Sequence, residues 1–514
     1  MRHPTFAFAL ACSLLLLLLV FPACRDGGSK HSTNASGEAL DFAPTPPEDV
    51  KPFERDLETV RASGNLIVLA ANNSTSYFLH QGEPMGYEYE LLREFAKSQN
   101  LALKVVVVKD RKQIFSLLNS GEGDIAAARI IPTPEDERRV AYTRELYRAE
   151  PALVQQADPP DKAKAELPPE AERILEPGPA DRVPEVDIQA RLVSRPTQLA
   201  GKRVDLPAQH PYKRTLVELE DEISGDIEVV EWSGRIEDEA LAQKVAKGEV
   251  EFTVIPSNIA ELKEAEFTNL KVRPVVGRQH KVVWAVRRNS PALLAELNRW
   301  IEEKQATPFF KQLYRKYFVD RQGYLERVQS EYLTSQTGKL CRFDPLLKRY
   351  AGELSWDWRL LASQAYQESR FKPDARSWAG ATGLLQLMPR TAAQFGVKNA
   401  NDPEDNVRGA VKFLQWLTKY WTPRIADEGE RLKFILASYN TGQGHVEDAQ
   451  RLTTKYGGDP SSWHDVSYWL LQKSKQQFYS DPEVKYGFCR GIEPVTYVSL
   501  ILERFDHYKH FVVN

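Results

Sequence analysis

The stretch Trp358-Arg-Leu-Leu-Ala-Ser-Gln-Ala-Tyr-Gln-Glu-Ser-Arg-Phe371 decides the reading of the C-terminal part of the chain. Trp358, Leu361, Ala362 and Ala365 recur at helical spacing and share one face. Glu368 lies seven residues after Leu361, almost two full turns, so it sits at the end of the same apolar stripe. Pro373 keeps the helix from running far beyond it. A carboxyl group at the edge of an apolar face resists ionisation and holds its proton near neutral pH, the property a general acid needs. The alternative reading of Glu368 is a partly buried carboxylate paired with Arg370.

Outward from this helix, the texture from Leu340 onward is helical and slightly basic. The texture from Phe53 to about Val319 alternates between strands and helices. Leu66–Ala70, Val105–Val108 and Ile125–Ala128 read as buried strands. Helices are expected through Tyr89–Ala96 and around Ile114 to Leu118, the latter ended by Gly121. A second set follows: Arg203-Val204, Ile227–Val230, a helix through Ala240 and Val245, then Phe252–Ile255. Two βαβαβ units imply two α/β lobes with parallel strands. The chain is therefore read as multidomain: a two-lobed α/β module over 53–320, then a mainly α domain over 340–514. A Pro-, Glu- and Ala-rich insert over 157–191 reads as a solvated loop between the lobes.

The whole chain has 514 residues and a net charge of −3, which excludes a broadly basic nucleic-acid binder. Four Cys exclude a disulfide-dense scaffold. No cluster has metal-ligand spacing and no glycine loop is built to cradle phosphate, so no cofactor and no metal are expected.

The N-terminus reads as a secretory address: Arg2 and His3, then an apolar run from Phe6 to Phe21. That run is short for a bilayer span. Val20-Phe21-Pro22-Ala23-Cys24 resembles a bacterial lipobox. The resemblance implies a signal peptide over 1–23, lipid on Cys24, a flexible tether over 24–52, and attachment to a membrane, here the periplasmic face of the outer membrane of a Gram-negative cell.

Four motifs follow in order in the C-terminal part: Glu368-Ser369; Gly383-Leu-Leu-Gln386-Leu-Met388-Pro389; Ala437-Ser-Tyr439-Asn440-Thr-Gly442; and Glu493-x-x-x-Tyr497-Val498. They resemble the lysozyme-like catalytic domain of soluble lytic transglycosylases. The resemblance implies that Glu368 is the single acid/base and that murein glycan strands are the partner. It also implies that Ser369, Gln386, Met388, Tyr439, Asn440 and Tyr497 contact or shape the substrate pocket. The product is then a 1,6-anhydro sugar. The competing expectations are a hydrolase on the same fold, and a murein-fragment sensor whose C-terminal domain only holds the polymer.

In the first part, Gly86-Tyr-Glu-Tyr-Glu-Leu91, Gly123-Asp-Ile125, Thr133 with Arg138, and Tyr142-Thr143 resemble an extracellular solute-binding protein of the polar amino-acid type. The resemblance implies a ligand cleft between lobes, with Tyr77 and Arg138 as its residues; the joining of this module to the C-terminal domain makes murein fragments candidate ligands. The family's amine-binding Asp is replaced by Pro256-Ser257-Asn258, so tight binding of a free α-amino acid is not expected. Cys341 and Cys489 could join in a disulfide outside the cytoplasm.

Overall fold

The structure is a computed structural model that describes residues 52–157, 192–233 and 236–513. The signal, Cys24 and nearly all of the tether and the Pro-rich insert lie outside the described residues. Among those described, no helix is long and apolar enough to cross a membrane.

The first part holds β1 (Asn65–Ala70), β2 (Phe78–His80), β3 (Glu83–Met85), β4 (Ala102–Val107), β5 (Ile125–Ile130), β6 (Val140–Tyr142) and β7 (Tyr147–Ala149). It continues with β8 (Pro151–Gln156), β9 (Arg203–Pro207), β10 (Glu228–Trp232), β11 (Thr253–Pro256), β12 (Leu270–Val275) and β13 (His280–Arg287). One sheet runs β4-β1-β5-β13-β6, with β7 also on β13, and the other runs β10-β9-β11-β8-β12. The expected parallel units are present: β1 lies parallel to β4 and β5, and β9 to β10 and β11. Their apolar runs are buried because helices cover both faces; every residue of β5 is buried. Gly121 ends the helix Ile114–Ser120 in the left-handed conformation.

β2, β3, β6, β7, β8, β12 and β13 go beyond the sequence reading. β8 and β12 join the second sheet antiparallel to their neighbours, and β13 returns to the first sheet antiparallel to β5. The chain thus crosses between lobes twice, at Ala149–Pro151 and between β12 and β13.

From Asp344 onward the chain is helical. Trp358–Ser369 packs against Ile492–Phe511 and Asp344–Leu354, while Glu428–Thr441 also lies on Ile492–Phe511. Each boundary has a local cause. Asp357, Asp402, Asp427 and Ser462 accept hydrogen bonds from the first backbone N–H groups of their helices. Leu361, Ala362, Ala365, Leu414, Ala437 and Val498 share one core.

The two parts are packed together through a hairpin. β2 and β3 pair around Gln81-Gly82, and Leu79 of this hairpin joins the core of the helical part. The Tyr508 hydroxyl donates to the Gly82 carbonyl at 2.8 Å. Gly82 has φ of 76°, and a Cβ there would stand 2.6 Å from the Phe371 ring. Only glycine fits this close approach.

The packing corrects two expectations. Tyr77 is buried at this junction, where its hydroxyl meets His507 Nδ1 and its ring lies 5.2 Å from Phe511. It therefore does not face the inter-lobe cleft. Cys341 and Cys489 are both buried free thiols. Cys341 Sγ contacts the Asp344 carboxylate at 3.4 Å and Cys489 Sγ the Thr441 hydroxyl at 3.3 Å, so each is fixed by a different neighbour.

Candidate active site

Glu368 occupies the last turn of Trp358–Ser369, followed by Arg370 in the left-handed conformation as the helix cap. Its Oε1 accepts a hydrogen bond from the Tyr497 hydroxyl at 2.5 Å. Arg370 is not its partner. Burial pushes the Glu368 carboxyl up to about 8, and the Tyr497 hydrogen bond opposes that shift. At neutral pH the group therefore holds its proton. Burial, then the Glu368 charge, raises the Tyr497 phenol well above its usual range, so it remains a donor throughout.

Tyr497 is itself held by Gln364, whose Nε2 donates to the phenol oxygen at 3.2 Å. Gln364 is fully buried and its Oε1 has no hydrogen-bond partner. Sequence reading passed over Gln364; its place one turn before Glu368 on the same helix was the available signal. Replacing Tyr497 by Phe removes the donor that favours the carboxylate. The alkaline limb of the kcat–pH profile is expected to move to higher pH, with kcat falling about tenfold. A profile that stays in place would refute this pairing.

The strap Thr382–Met388 forms the neighbouring wall. Tyr439 donates to the Leu385 carbonyl at 2.7 Å, and Ser369 donates to the Leu384 carbonyl at 2.8 Å. Asn406, fully buried, accepts from Leu385 N and donates to the Thr382 and Ala400 carbonyls. Gln386 has φ of 47°, and its amide nitrogen donates to the Ala375 and Gly383 carbonyls. Ser369 was expected to contact substrate; it is buried, and its hydroxyl instead ties the acid-bearing helix to the strap. Met388, at the end of the strap, and Asn440, next to Tyr439 in sequence, are exposed, and Gln386 is half-buried.

Gly383 fixes the strap. Its φ is 92°, and a Cβ would stand 2.1 Å from the Ala400 carbonyl oxygen and 2.2 Å from Asn406 Nδ2. Gly383→Ala is expected to lower stability by about 1–3 kcal/mol and to reduce kcat by displacing Leu384–Gln386. Denaturant unfolding and steady-state rates check both; an unchanged midpoint would refute the strain.

The inter-lobe region is arranged differently from expectation. Arg138 is exposed. The buried arginine is Arg129, on β5, which donates to Glu239 at 3.0 Å across the lobes, with Glu237 at 3.7 Å and Asp238 at 3.8 Å. Its own backbone N–H donates to the Glu88 carboxylate at 3.1 Å. Asp238 is paired with His210 at 3.1 Å. Burial pushes the Glu237 carboxyl up to about 7 despite the Arg111 and Arg129 charges. Asn258 is buried just after β11, with Nδ2 unpartnered. Beside this cluster lies a cleft of about 960 Å³ lined by both lobes, with Arg111, Lys112, Lys213 and Arg214 on its walls. Among the described residues no group of His, Cys, Asp and Glu could hold a metal ion.

Comparison with known proteins accounts for both parts. The family model for bacterial extracellular solute-binding proteins, family 3, matches residues 66–320, and the transglycosylase SLT domain model matches 346–461. Membrane-bound lytic murein transglycosylase F from Ectopseudomonas mendocina is 30% identical over 454 residues, covering 88% of this chain and 85% of that protein. The chain belongs to the membrane-bound lytic murein transglycosylase F family. The relative of that name from Desulfosudis oleivorans is 29% identical over 460 residues, covering 89% of this chain and 93% of its own length. An ancestral arginine-binding protein bound to arginine is similar to the first part, at 18% identity and a TM-score of 0.38, covering 50% of this chain and 98% of its own. Within the family frame, Glu368, Tyr497 and the strap all belong to the SLT-type part or its C-terminal continuation, and the Arg129 cluster belongs to the solute-binding part.

Proposed function

We propose that this lytic murein transglycosylase cleaves the β-1,4 bond from N-acetylmuramic acid to N-acetylglucosamine with Glu368 as its only acid/base. The supporting observation is the Glu368 carboxyl at the end of an apolar helix face, where burial favours its protonated form, with the Tyr497 hydroxyl as its partner and no second carboxylate among the groups that shift it. The carboxylic acid donates its proton to the glycosidic oxygen as the bond from C1 breaks. The resulting carboxylate takes the proton of the muramyl C6 hydroxyl as O6 bonds to C1. Atoms balance without water, and the 1,6-anhydro ring forms. An internal nucleophile has a high effective concentration, so the second carboxylate of the usual hydrolase pair is not needed. Met388, Asn440 and the free amide oxygen of Gln386 face the sugar and its N-acetyl group, while Tyr439 and Ser369 hold the wall.

Mass spectrometry of digested murein tests this reading. Products lighter than the hydrolysis products by one water support it; free reducing ends would establish a hydrolase instead. The same proposal places the protein in the cell envelope, anchored to the outer membrane through lipid on Cys24, which the mass of the mature N-terminal peptide checks. A murein fragment in the inter-lobe cleft is proposed to set the activity of the helical part. Fragments that bind without altering the rate would remove that proposal.

A further inference from the structure

A second cavity, of about 560 Å³, lies at the junction of the two parts, apart from both the Glu368 wall and the inter-lobe cleft. Its volume falls in the range of small-molecule sites. One wall is the helix Tyr87–Ser98 of the first lobe, which contributes Tyr89, Arg93 and Lys97. The opposite wall comes from the acid-bearing helix and its cap, through Tyr366 and Arg370, and from Ile492–Phe511, through Arg504 and His507.

Charge in this cavity is unbalanced. Arg93, Lys97, Arg370 and Arg504 face two acids, Glu83 and Glu503. One buried guanidinium N–H and one buried ring nitrogen are also left without a hydrogen-bond partner. Arg504 lies over the Tyr366 ring at 4.3 Å and uses Nη1 on the Gln367 side chain, yet its Nε is unpaired. His507 is 3% exposed, with Nδ1 on the Tyr77 hydroxyl; its Nε2 stands 3.8 Å from Glu503 and makes no hydrogen bond. A buried guanidinium N–H without an acceptor is costly, and a cationic cavity that holds one is complementary to a ligand rich in anionic oxygen.

We propose that this junction cavity binds a small anion carrying at least two negative charges, a phosphoryl group or a pair of carboxylates, between the first lobe and the helix that bears Glu368. Such a ligand bonds Arg93 and Lys97 on one side and Arg370 and Arg504 on the other. It therefore stabilises the junction itself, by mass action on the docked state. The assignment is independent of the role given to Glu368.

Titration calorimetry on the full chain in detergent tests it, with inorganic phosphate and γ-glutamyl-glutamate as the two probes. At least one probe is expected to bind once per chain with Kd below about 1 mM and to raise the melting temperature. Tighter phosphate binding assigns a phosphoryl ligand, and tighter peptide binding assigns a dicarboxylate; each supports the site. The exposed pair Arg93→Ala/Lys97→Ala, which leaves the core untouched, is expected to weaken binding at least tenfold, as is Arg504→Gln. Binding of neither probe would overturn the proposal. So would binding that survives the Arg93→Ala/Lys97→Ala pair, or that is lost instead in Arg111→Ala/Lys213→Ala, because the anion would then sit in the inter-lobe cleft.

Discussion

Replacing Glu368 by Gln is expected to lower kcat by about 100- to 10,000-fold, the range for removing a general acid/base. The side chain keeps its size and can still accept from Tyr497, so folding is retained. Stability should move the other way. The folded carboxyl titrates at about 8 and the unfolded one near about 4.3. Between these values the unfolded chain releases a proton that the folded chain keeps, so the wild type loses stability as pH rises through that window. Below the window both states are protonated, and above it both are ionised. Gln cannot ionise, so the variant should melt at the wild-type temperature in acid and above it at alkaline pH. The wild-type kcat should also fall above about pH 8, approaching tenfold per pH unit as the acid loses its proton. Differential scanning calorimetry and a pH–rate profile read both outcomes. A Glu368→Gln protein within tenfold of wild-type activity would sink the assignment of the acid.

The largest expected loss of stability comes from Asp448→Ala. Asp448 and Lys473 are both fully buried, and Asp448 Oδ2 receives the Lys473 ammonium at 2.6 Å. The same carboxylate accepts the backbone N–H groups of Lys485 at 2.8 Å and Tyr486 at 2.9 Å. Burial works to raise the Asp448 carboxyl, yet the Lys473 bond and these two amides outweigh it and hold the group below its usual range. Burial also lowers the Lys473 ammonium. Deleting the carboxylate strands a buried cation and two amides, which costs about 3–5 kcal/mol. Asp448→Asn/Lys473→Met, which removes both charges, should recover much of it. Because the wild-type carboxyl is depressed, its contribution is present above the unfolded carboxylate value and lost as pH falls through the folded one. Denaturant midpoints measure each variant. A loss under about 1 kcal/mol in Asp448→Ala would show that the pair is not structurally coupled.

The parts of this molecule governed by short-range periodicity were legible in the sequence. Leu361, Ala362, Ala365 and Glu368 define a stripe without help from distant residues, and the apolar runs at Leu66–Ala70 and Ile125–Ala128 are strands because both faces are covered. What escaped depends on pairing across long separations. β13 lies far along the chain from its partner β5, and no local pattern announces that it returns to the first sheet. Arg129 sits at the end of an alanine run, and its acidic partners lie 110 residues further on. Arg138 looked closer to the expected position but points into solvent. Tyr77 and Ser369 were misplaced for a related reason. Their residue types suit a ligand contact, but His507 and the Leu384 carbonyl reach them first. The thiol pair shows the same limit: Asp344 and Thr441, both near in space, decide where each sulfur points.

The hairpin at Gln81-Gly82 has a consequence for the order in which the chain can mature. Gly82 and Tyr508 are 426 residues apart, so the first lobe carries an apolar tip whose cover is made long after it. At about 5–20 residues per second, that tip waits on the order of twenty seconds or longer from synthesis alone. Leu79, which belongs to the core of the helical part, lacks its cover for that interval. A variant cut before His507 and Tyr508 would keep every residue of the catalytic motifs and still leave the first lobe unsealed.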